Sequence, residues 1–331
     1  MRVGRRHIAA WGAAALVARG ARADDDVATR ARWVAGVTPL AGRTPEWSSY
    51  ASLEDARWSK AHARLDVISQ WAHKEIAPSL ASGRPVLYPF AGADALYVTL
   101  LFAGAQRVVL AGLEPVGRLP RPADVTPGFF ARLGASTEDL HRLGFLRTTQ
   151  MAEDLARDGV LPGVAATLVR LGGTVRGVTA MGPRRVRVDW TTAAGEVRRL
   201  DYVQVDLSNA GLKREGALVA ELRSLAPFAT FLKAAMYLLA ESRFSFLRKV
   251  LLEGSALVVE DDTGLPFHCF DAPWAVRLYG RYAPPRKPFE HRRQPDLERA
   301  FALRSPAVLP FGFGYAMQPS LSSLLVATRG A

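Results

Sequence analysis

The stretch Arg84–Gly117, RPVLYPFAGADALYVTLLFAGAQRVVLAGLEPVG, decides the fold class of this protein. Pro85–Pro89 is a short apolar run typical of a buried strand, and Phe90–Asp94 is a compact turn. Ala95–Phe102 is apolar and long enough for a helix, and Arg107–Ala111 is a second buried strand. Strand, turn, helix and strand in this order form a βαβ unit, which predicts a parallel sheet with a right-handed crossover.

Periodic segments on both sides of this unit extend the α/β pattern. Residues 24–82 carry apolar side chains at helical spacing and predict a helical lead-in. Residues 83–331 predict a Rossmann-like domain, with inserted helices at about 118–172 and a hairpin at about 184–206. We expect a doubly wound, mostly parallel sheet with an antiparallel edge. The other predicted elements are strands at 175–181, 256–260, 274–282 and 321–328 and helices at 218–252 (unusually apolar over Phe228–Leu239) and 296–302.

The first 23 residues have the layout of a removable signal peptide. Met1–Arg6 carries three arginines and no acid, and Ile8–Ala18 is a short apolar run that ends before Ala21-Arg22-Ala23. This order of basic, apolar and small residues is typical of secretory signals, and the run is too short for a membrane anchor. Arg5-Arg6 also resembles the twin-arginine export signal. The sequence therefore predicts a periplasmic or secreted protein without a transmembrane segment in its mature chain.

The composition narrows the choice of partners. The formal charge is +12, but the densest basic cluster, Arg286–Arg293, is short and is interrupted by Glu290. Nucleic-acid binding would require clustered basic residues interleaved with aromatic ones, so we do not expect a nucleic-acid partner. Cys269 is the only cysteine, so no intramolecular disulfide can form. The partners that remain are a small molecule or a component of the cell envelope.

Acidic residues follow four of the predicted strands and define the candidate site. They are Asp94, Glu114, Asp206 and the pair Asp261-Asp262. Ligands of open parallel sheets bind beyond the carboxyl ends of the strands, so the fold would bring these side chains to one rim. The convergence predicts a binding site there.

Each of these residues also has a purely structural interpretation. Asp94 would equally cap the helix that begins at Ala95, and Asp206 and Ser208 would equally begin the next helix. Glu114 would equally be a turn residue before Pro115. Asp261-Asp262 leads into a turn, and two adjacent carboxylates are too few ligands to predict a metal site.

His268 is the candidate for catalysis. It lies a few residues after Asp261 and Asp262 and would act as a general base beside one of them. A structural role in an apolar stretch is the alternative, because a single histidine is often partly buried for packing alone. The sequence contains no P-loop, no nucleophile elbow and no dinucleotide fingerprint.

The segment Val86–Pro115 resembles the first βαβ unit of class I S-adenosylmethionine-dependent methyltransferases. Phe90-Ala91-Gly92 matches the cofactor loop and Glu114 matches the acid that binds the ribose, whereas Tyr88 replaces the usual acid before the loop. Asp94 lies where a second loop glycine is usual, and Asp206-Leu207-Ser208-Asn209 lies near the fourth-strand motif. The resemblance implies cofactor contacts from Phe90, Gly92, Asp94, Glu114, Asp206 and Ser208.

The chain also resembles a group of exported bacterial proteins without an assigned function, through Tyr88–Gly92 and Gly112–Gly117. That likeness implies no activity. Export argues against S-adenosylmethionine as a cofactor, because this compound is made and regenerated in the cytoplasm. Our first hypothesis is therefore an exported protein that binds a small molecule or envelope partner at the rim. A methyltransferase-like enzyme is the second, and a hydrolase using His268 is the third.

Overall fold

The computed structural model describes residues 27–40, 44–143, 155, 157–285, 287, 289–315 and 318–330, and the predicted signal peptide lies outside them. Helices pack on a nine-stranded mixed sheet, which confirms the predicted α/β class. The labelled helices are α1 (Pro45–Glu75), α2 (Ala95–Leu101), α3 (Phe129–Leu143), α4 (Leu161–Arg170), α5 (Asn209–Arg214), α6 (Gly216–Ser224), α7 (Ser245–Gly254) and α8 (Pro295–Leu303). The strands are β1 (Val86–Pro89), β2 (Arg107–Gly112), β3 (Thr174–Ala180), β4 (Arg185–Thr191), β5 (Val197–Gln204), β6 (Phe228–Leu232), β7 (Ser255–Glu260), β8 (Trp274–Gly280) and β9 (Ser323–Arg329).

The sheet has the strand order β3-β4-β5-β2-β1-β6-β7-β9-β8. Its centre is parallel: β1 pairs with β2 and β6, β2 pairs with β5, and β6 pairs with β7. The pairings of β3 with β4, β4 with β5, β7 with β9 and β8 with β9 are antiparallel. The carboxyl ends of β5, β2, β1, β6 and β7 therefore lie along one edge of the sheet, which we call the carboxyl edge.

Both faces of the central strands are buried. Val86 and Tyr88 of β1 point into a core that includes residues of α1, α2, α3 and α4. Leu87 of β1 and Val109 of β2 point into a second core, formed with residues of α5, α6, α7 and α8. Strands covered on both faces are apolar without alternation, which is why VLYP and RVVLA could be recognised in the sequence.

The helix predicted over 218–252 is wrong in its middle part. The segment FATFL at Phe228–Leu232 is β6, the strand between β1 and β7, and only α6 and α7 on either side of it are helical. A short apolar run that is buried on both faces has no period that distinguishes strand from helix. The cue available in the sequence was Pro227, which ends the preceding helix.

A buried ion cluster joins the hairpin of β4 and β5 to the parallel strands. Asp201 of β5 is fully buried, and its carboxylate accepts hydrogen bonds from Arg107 of β2 and Arg187 of β4, each at 2.9 Å. Glu221 of α6 accepts from Arg107 and from Arg185 at 2.6 Å. These charge-assisted bonds fix the hairpin beside β2, and the five side chains come from four separate elements of the chain.

The long helix α1 begins at a polar cap and lies against the first core. The hydroxyl of Thr44 accepts a hydrogen bond from the backbone N–H of Trp47, and Ile68 of α1 is fully buried. Within the described residues, no helix combines the length and the hydropathy that crossing a bilayer requires.

Candidate functional site

The loop after β1 has the backbone of a tight, glycine-like turn. Phe90 and Gly92 both have a positive φ, of 60° and 53°. Asp94 is the N-cap of α2: its carboxylate accepts from the backbone N–H of Tyr97 at 3.3 Å and from the hydroxyl of Tyr88 at 3.0 Å. The capping interpretation of Asp94 is therefore confirmed.

Lys233 follows β6 and forms a buried ion pair with this cap. Its Nζ lies 2.5 Å from Oδ2 of Asp94 and 3.7 Å from the centre of the Tyr97 ring. The two paired side chains are 1% and 3% exposed. Burial lowers the pKa of Lys233, and the carboxylates of Asp94 and Asp261 oppose that shift. The pair ties the loop after β1 to the loop after β6.

The loop after β6 is strained. Ala234, Met236 and Tyr237 have φ values of 52°, 51° and 58°, in the left-handed region that side chains disfavour. Such conformations cost about 1–3 kcal/mol each, persist only where neighbouring groups enforce them, and cluster at functional sites. Together with Phe90, these residues place four left-handed non-glycine positions at the carboxyl ends of two adjacent strands.

The loop after β7 enforces this conformation. Asp261 accepts from the backbone N–H of Ala234 at 2.7 Å, and the Thr263 carbonyl accepts from the N–H of Tyr237 at 3.0 Å. The Tyr315 hydroxyl donates to the Ala234 carbonyl at 3.1 Å. Asp261 is buried and is itself held by the Thr263 hydroxyl at 2.6 Å. The acid at the end of β7 thus positions the β6 loop.

Three consecutive carboxyl groups end β7, and burial raises the pKa of each. Glu260 is buried and accepts from the backbone N–H of Leu265 at 2.9 Å, but burial still raises its pKa well above the usual range. Burial likewise raises the pKa of Asp261. Burial and then the neighbouring Asp261 raise the pKa of Asp262 to about 7, against a hydrogen bond from the Tyr237 hydroxyl at 2.6 Å. Asp262 can therefore exchange a proton near neutral pH.

Asp262 and Tyr237 line a cavity of about 220 Å³ at the carboxyl edge, which we call the aromatic cavity. Its other aromatic walls are Phe289, Phe313 and Tyr315. The Phe289 ring centre lies 5.8 Å from that of Tyr237 and 6.1 Å from that of Tyr315. Four aromatic rings and one carboxyl group of perturbed pKa thus surround a single small space.

The structure brings together only part of the predicted acidic rim. Asp94 and Asp261 both act on Lys233, and Asp262 lies in the wall of the aromatic cavity. Glu114 lies apart at the end of β2, half-buried, with its carbonyl accepting from the Tyr202 hydroxyl at 2.7 Å. Within the described residues, neither Asp94 nor Glu114 lines the aromatic cavity.

Asp206 and Ser208 lie farther away, beyond β5. Asp206 is exposed and accepts from the backbone N–H of Ser208 at 2.9 Å, and the Ser208 hydroxyl caps α5 by accepting from Gly211. The interpretation that these residues begin the next helix is confirmed. Along the chain, β5 is the third of the parallel strands, so Asp206 follows the third parallel strand and Lys233 follows the fourth, β6.

His268 is exposed in a short turn, Phe267–Cys269. Among the described residues, no hydrogen bond or ion pair joins it to Asp261 or Asp262, and it lines a different cavity from the aromatic one. Described histidines, cysteines and acids form no group of three that could hold a metal ion.

The sequence did not predict the roles of Lys233, Tyr237, Phe289 and Tyr315. Lys233 was assigned to the interior of an apolar helix, where a lysine was expected to extend to the surface. The other three side chains come from distant segments, and only the order of the strands brings those segments together.

None of the protein-family models matches this chain, and a search of curated proteins finds no match either. The function is therefore argued from the geometry of the carboxyl edge.

Proposed function

We propose that this protein binds a small organic cation in the aromatic cavity. One observation carries the proposal: aromatic rings surround a space that also contains a carboxyl group, Asp262, whose pKa is raised to about 7. Cavities with mostly apolar walls, few polar groups and a perturbed pKa are the usual form of ligand sites. The strained loop from Ala234 to Tyr237 supplies one wall, as expected where strain serves a function.

The size of the cavity limits the ligand. A volume of about 220 Å³ is below the usual range for drug-sized ligands, roughly 300–1,000 Å³. The space therefore suits a ligand smaller than a drug-sized molecule. The ligand is therefore of the size of a small alkylammonium ion.

The chemistry of the walls favours a positive charge. The faces of aromatic rings attract cations, and cages of such rings recognise quaternary ammonium groups. The ionised form of Asp262 adds an opposite charge, so affinity should rise as the pH increases through about 7. Lys287 also lines the cavity, but its side chain is exposed, where water and salt screen its charge.

Choline and its neutral isostere 3,3-dimethylbutan-1-ol test this proposal, because they share a shape and differ in charge. We expect calorimetry to detect choline binding that is at least tenfold tighter than binding of the alcohol. Phe289→Ala should weaken choline binding at least tenfold, whereas Phe246→Ala, which changes a half-buried phenylalanine outside the cavity, should not. Equal affinity for the two probes, or no binding of choline, would contradict the proposal.

The proposed architecture is a Rossmann-like, doubly wound sheet. Numbered along the chain, the five parallel strands have the order 3-2-1-4-5, which agrees with the central part of the Rossmann order. Helices in both cores, one on each face, support the same interpretation. In such sheets ligands bind beyond the carboxyl ends of the strands, and the aromatic cavity lies at that edge.

A nucleoside-cofactor transferase is the second candidate, and Glu114 favours it. This acid follows the second strand, where Rossmann sheets bind a ribose. Its carboxylate lies so close to Gly112 that a Cβ at residue 112 would overlap it. One observation opposes this candidate: Asp94 is paired with Lys233 beside the β1 loop, so its carboxylate is already engaged within the protein. Micromolar binding of S-adenosylmethionine that is lost in Glu114→Ala would support this candidate, and no detectable binding would eliminate it.

Export of the protein to the periplasm or medium remains part of the proposal, with an envelope component as the alternative ligand. We do not extend the proposal to a hydrolase. Asp261 is 3% exposed and engaged by three hydrogen bonds, and among the described residues no hydrogen bond or ion pair joins His268 to it.

A further inference from the structure

A second and larger cavity lies beside the aromatic one, with Tyr237 in the walls of both. It encloses about 600 Å³, and its walls are rich in basic residues, so we call it the basic cavity. The basic side chains come from α7, from the two turns Phe267–Cys269 and Glu290–Arg292, from the residue that follows the second turn, and from α8. They are Arg248, His268, His291, Arg292, Arg293 and Arg299.

Two of these arginines form an ion pair with a carboxylate. Arg292 donates to Glu241 at 2.8 Å, and Arg293 makes a two-pronged contact with Glu298 at 2.6 and 2.9 Å. The Arg293–Glu298 pair is neutral as a unit, whereas Glu241 also pairs with Arg243, so that cluster keeps one positive charge beside the cavity.

The other two arginines lack such a partner. Arg248 donates to the backbone carbonyl of Leu239, which carries no net charge. Arg299 is exposed, and among the described residues no carboxylate lies within ion-pair distance of either guanidinium. Asp296, the acid in the wall, accepts from the backbone N–H of Leu297 at 2.9 Å. The cavity therefore has an excess of positive charge, which raises the local concentration of anions.

We propose that the basic cavity binds a phosphate group. The guanidinium fork matches phosphate geometry, and a phosphomonoester carries about −1.5 to −2 charges near pH 7. Arg248 and Arg299 exceed Asp296 by one positive charge, and Arg243 and Arg292 exceed Glu241 by another, so the excess matches that of a phosphate dianion better than that of a single carboxylate. This site is separate from the aromatic cavity, and it holds whether or not that cavity binds a cation.

Titration of the full protein with inorganic phosphate at constant ionic strength tests the inference. We expect Arg299→Glu to weaken phosphate binding at least tenfold, because a charge-assisted contact is lost and a repulsive one is gained. Arg176→Glu, the same charge change on exposed residue 176 of β3 at the far edge of the sheet, should change affinity less than twofold. Arg248→Met, which conserves most of the apolar stem, should also weaken phosphate at least tenfold.

The controls distinguish a specific phosphate site from non-specific attraction of anions to positive charge. Equal losses in Arg299→Glu and Arg176→Glu would overturn the inference, as would acetate binding as tightly as phosphate. Flotation with neutral vesicles, with and without phosphatidic acid, separates two sources of the phosphate group. Flotation of the protein with the vesicles that requires both phosphatidic acid and Arg299 indicates a lipid headgroup. Binding of inorganic phosphate without binding to these vesicles indicates a free phosphate compound. Binding to neither overturns the inference.

Discussion

Removal of either charge from the Lys233–Asp94 pair should destabilise the protein strongly. Lys233→Met conserves the length of the side chain and leaves Asp94 as a carboxylate that is 3% exposed and has lost its cation. Breaking a buried pair in this way costs about 3–5 kcal/mol. Asp94 keeps the Tyr88 hydroxyl and the N–H of Tyr97, so we expect the lower end, about 3 kcal/mol.

The pair should also be non-additive. Asp94→Asn keeps an oxygen for the cap of α2, so the unfolding free energy that this variant loses reflects mainly the unpaired Lys233. In the double variant neither charge remains, and the loss of unfolding free energy should be smaller than the sum of the two single losses by about 1–3 kcal/mol.

Urea unfolding followed by circular dichroism measures these free energies. Lys249→Met is the matched control, because Lys249 is 65% exposed and its pair with Glu253, at 3.7 Å, should contribute less than about 0.5 kcal/mol. A loss below about 1 kcal/mol in Lys233→Met, or strict additivity in the double variant, would refute the role assigned to the pair.

Three further predictions concern the acids and the leader. The folded state holds the proton of Asp262 up to about pH 7 and the unfolded state releases it near pH 4, so stability should fall as the pH rises between these values. Asp262→Asn should flatten that slope in thermal melts recorded at several pH values, and an unchanged slope would disprove the assignment. Asp201→Asn should lower the unfolding free energy by about 3 kcal/mol, because the carboxylate is fully buried between arginines. Its control, Asp189→Asn, removes an acid that is 38% exposed and should change the value by less than about 0.5 kcal/mol. Mass spectrometry of the protein recovered from outside the bacterial cytoplasm should show a chain that begins at Asp24, and recovery of the intact chain only from the cytoplasm would contradict the predicted signal peptide.

The parts of the fold that were predictable are those with strong local signals. Residues 84–117 form β1, α2 and β2 as the βαβ pattern predicted. The hairpin of β4 and β5 was marked by alternating side chains around Ala194-Gly195, and Gly195 has the positive φ that such a turn requires. In each case the sequence carries its own period or its own turn residue.

The site could be predicted only in outline. The predicted strand ends indicated the carboxyl edge, where the aromatic cavity lies, but the strand β6 was predicted as a helix, and this concealed Lys233 and the loop that follows. The positive φ of Phe90, Ala234, Met236 and Tyr237 has no signal in the sequence, because the residues there are not glycine or asparagine. The loop after β7 holds Ala234 and Tyr237 by hydrogen bonds, and tertiary contacts of that kind are not visible in the local sequence.

Fluorine NMR of the protein labelled with 3-fluorotyrosine tests the central proposal most directly. The chain has eight tyrosines, of which Tyr237 and Tyr315 line the aromatic cavity, while Tyr88 and Tyr97 are buried beside Asp94. Single Tyr→Phe variants assign the resonances. Titration with choline should shift the signals of Tyr237 and Tyr315 and leave those of Tyr88 and Tyr97 in place. Shifts confined to Tyr88 and Tyr97, or no shift in any of the eight, would contradict a cation site in the aromatic cavity.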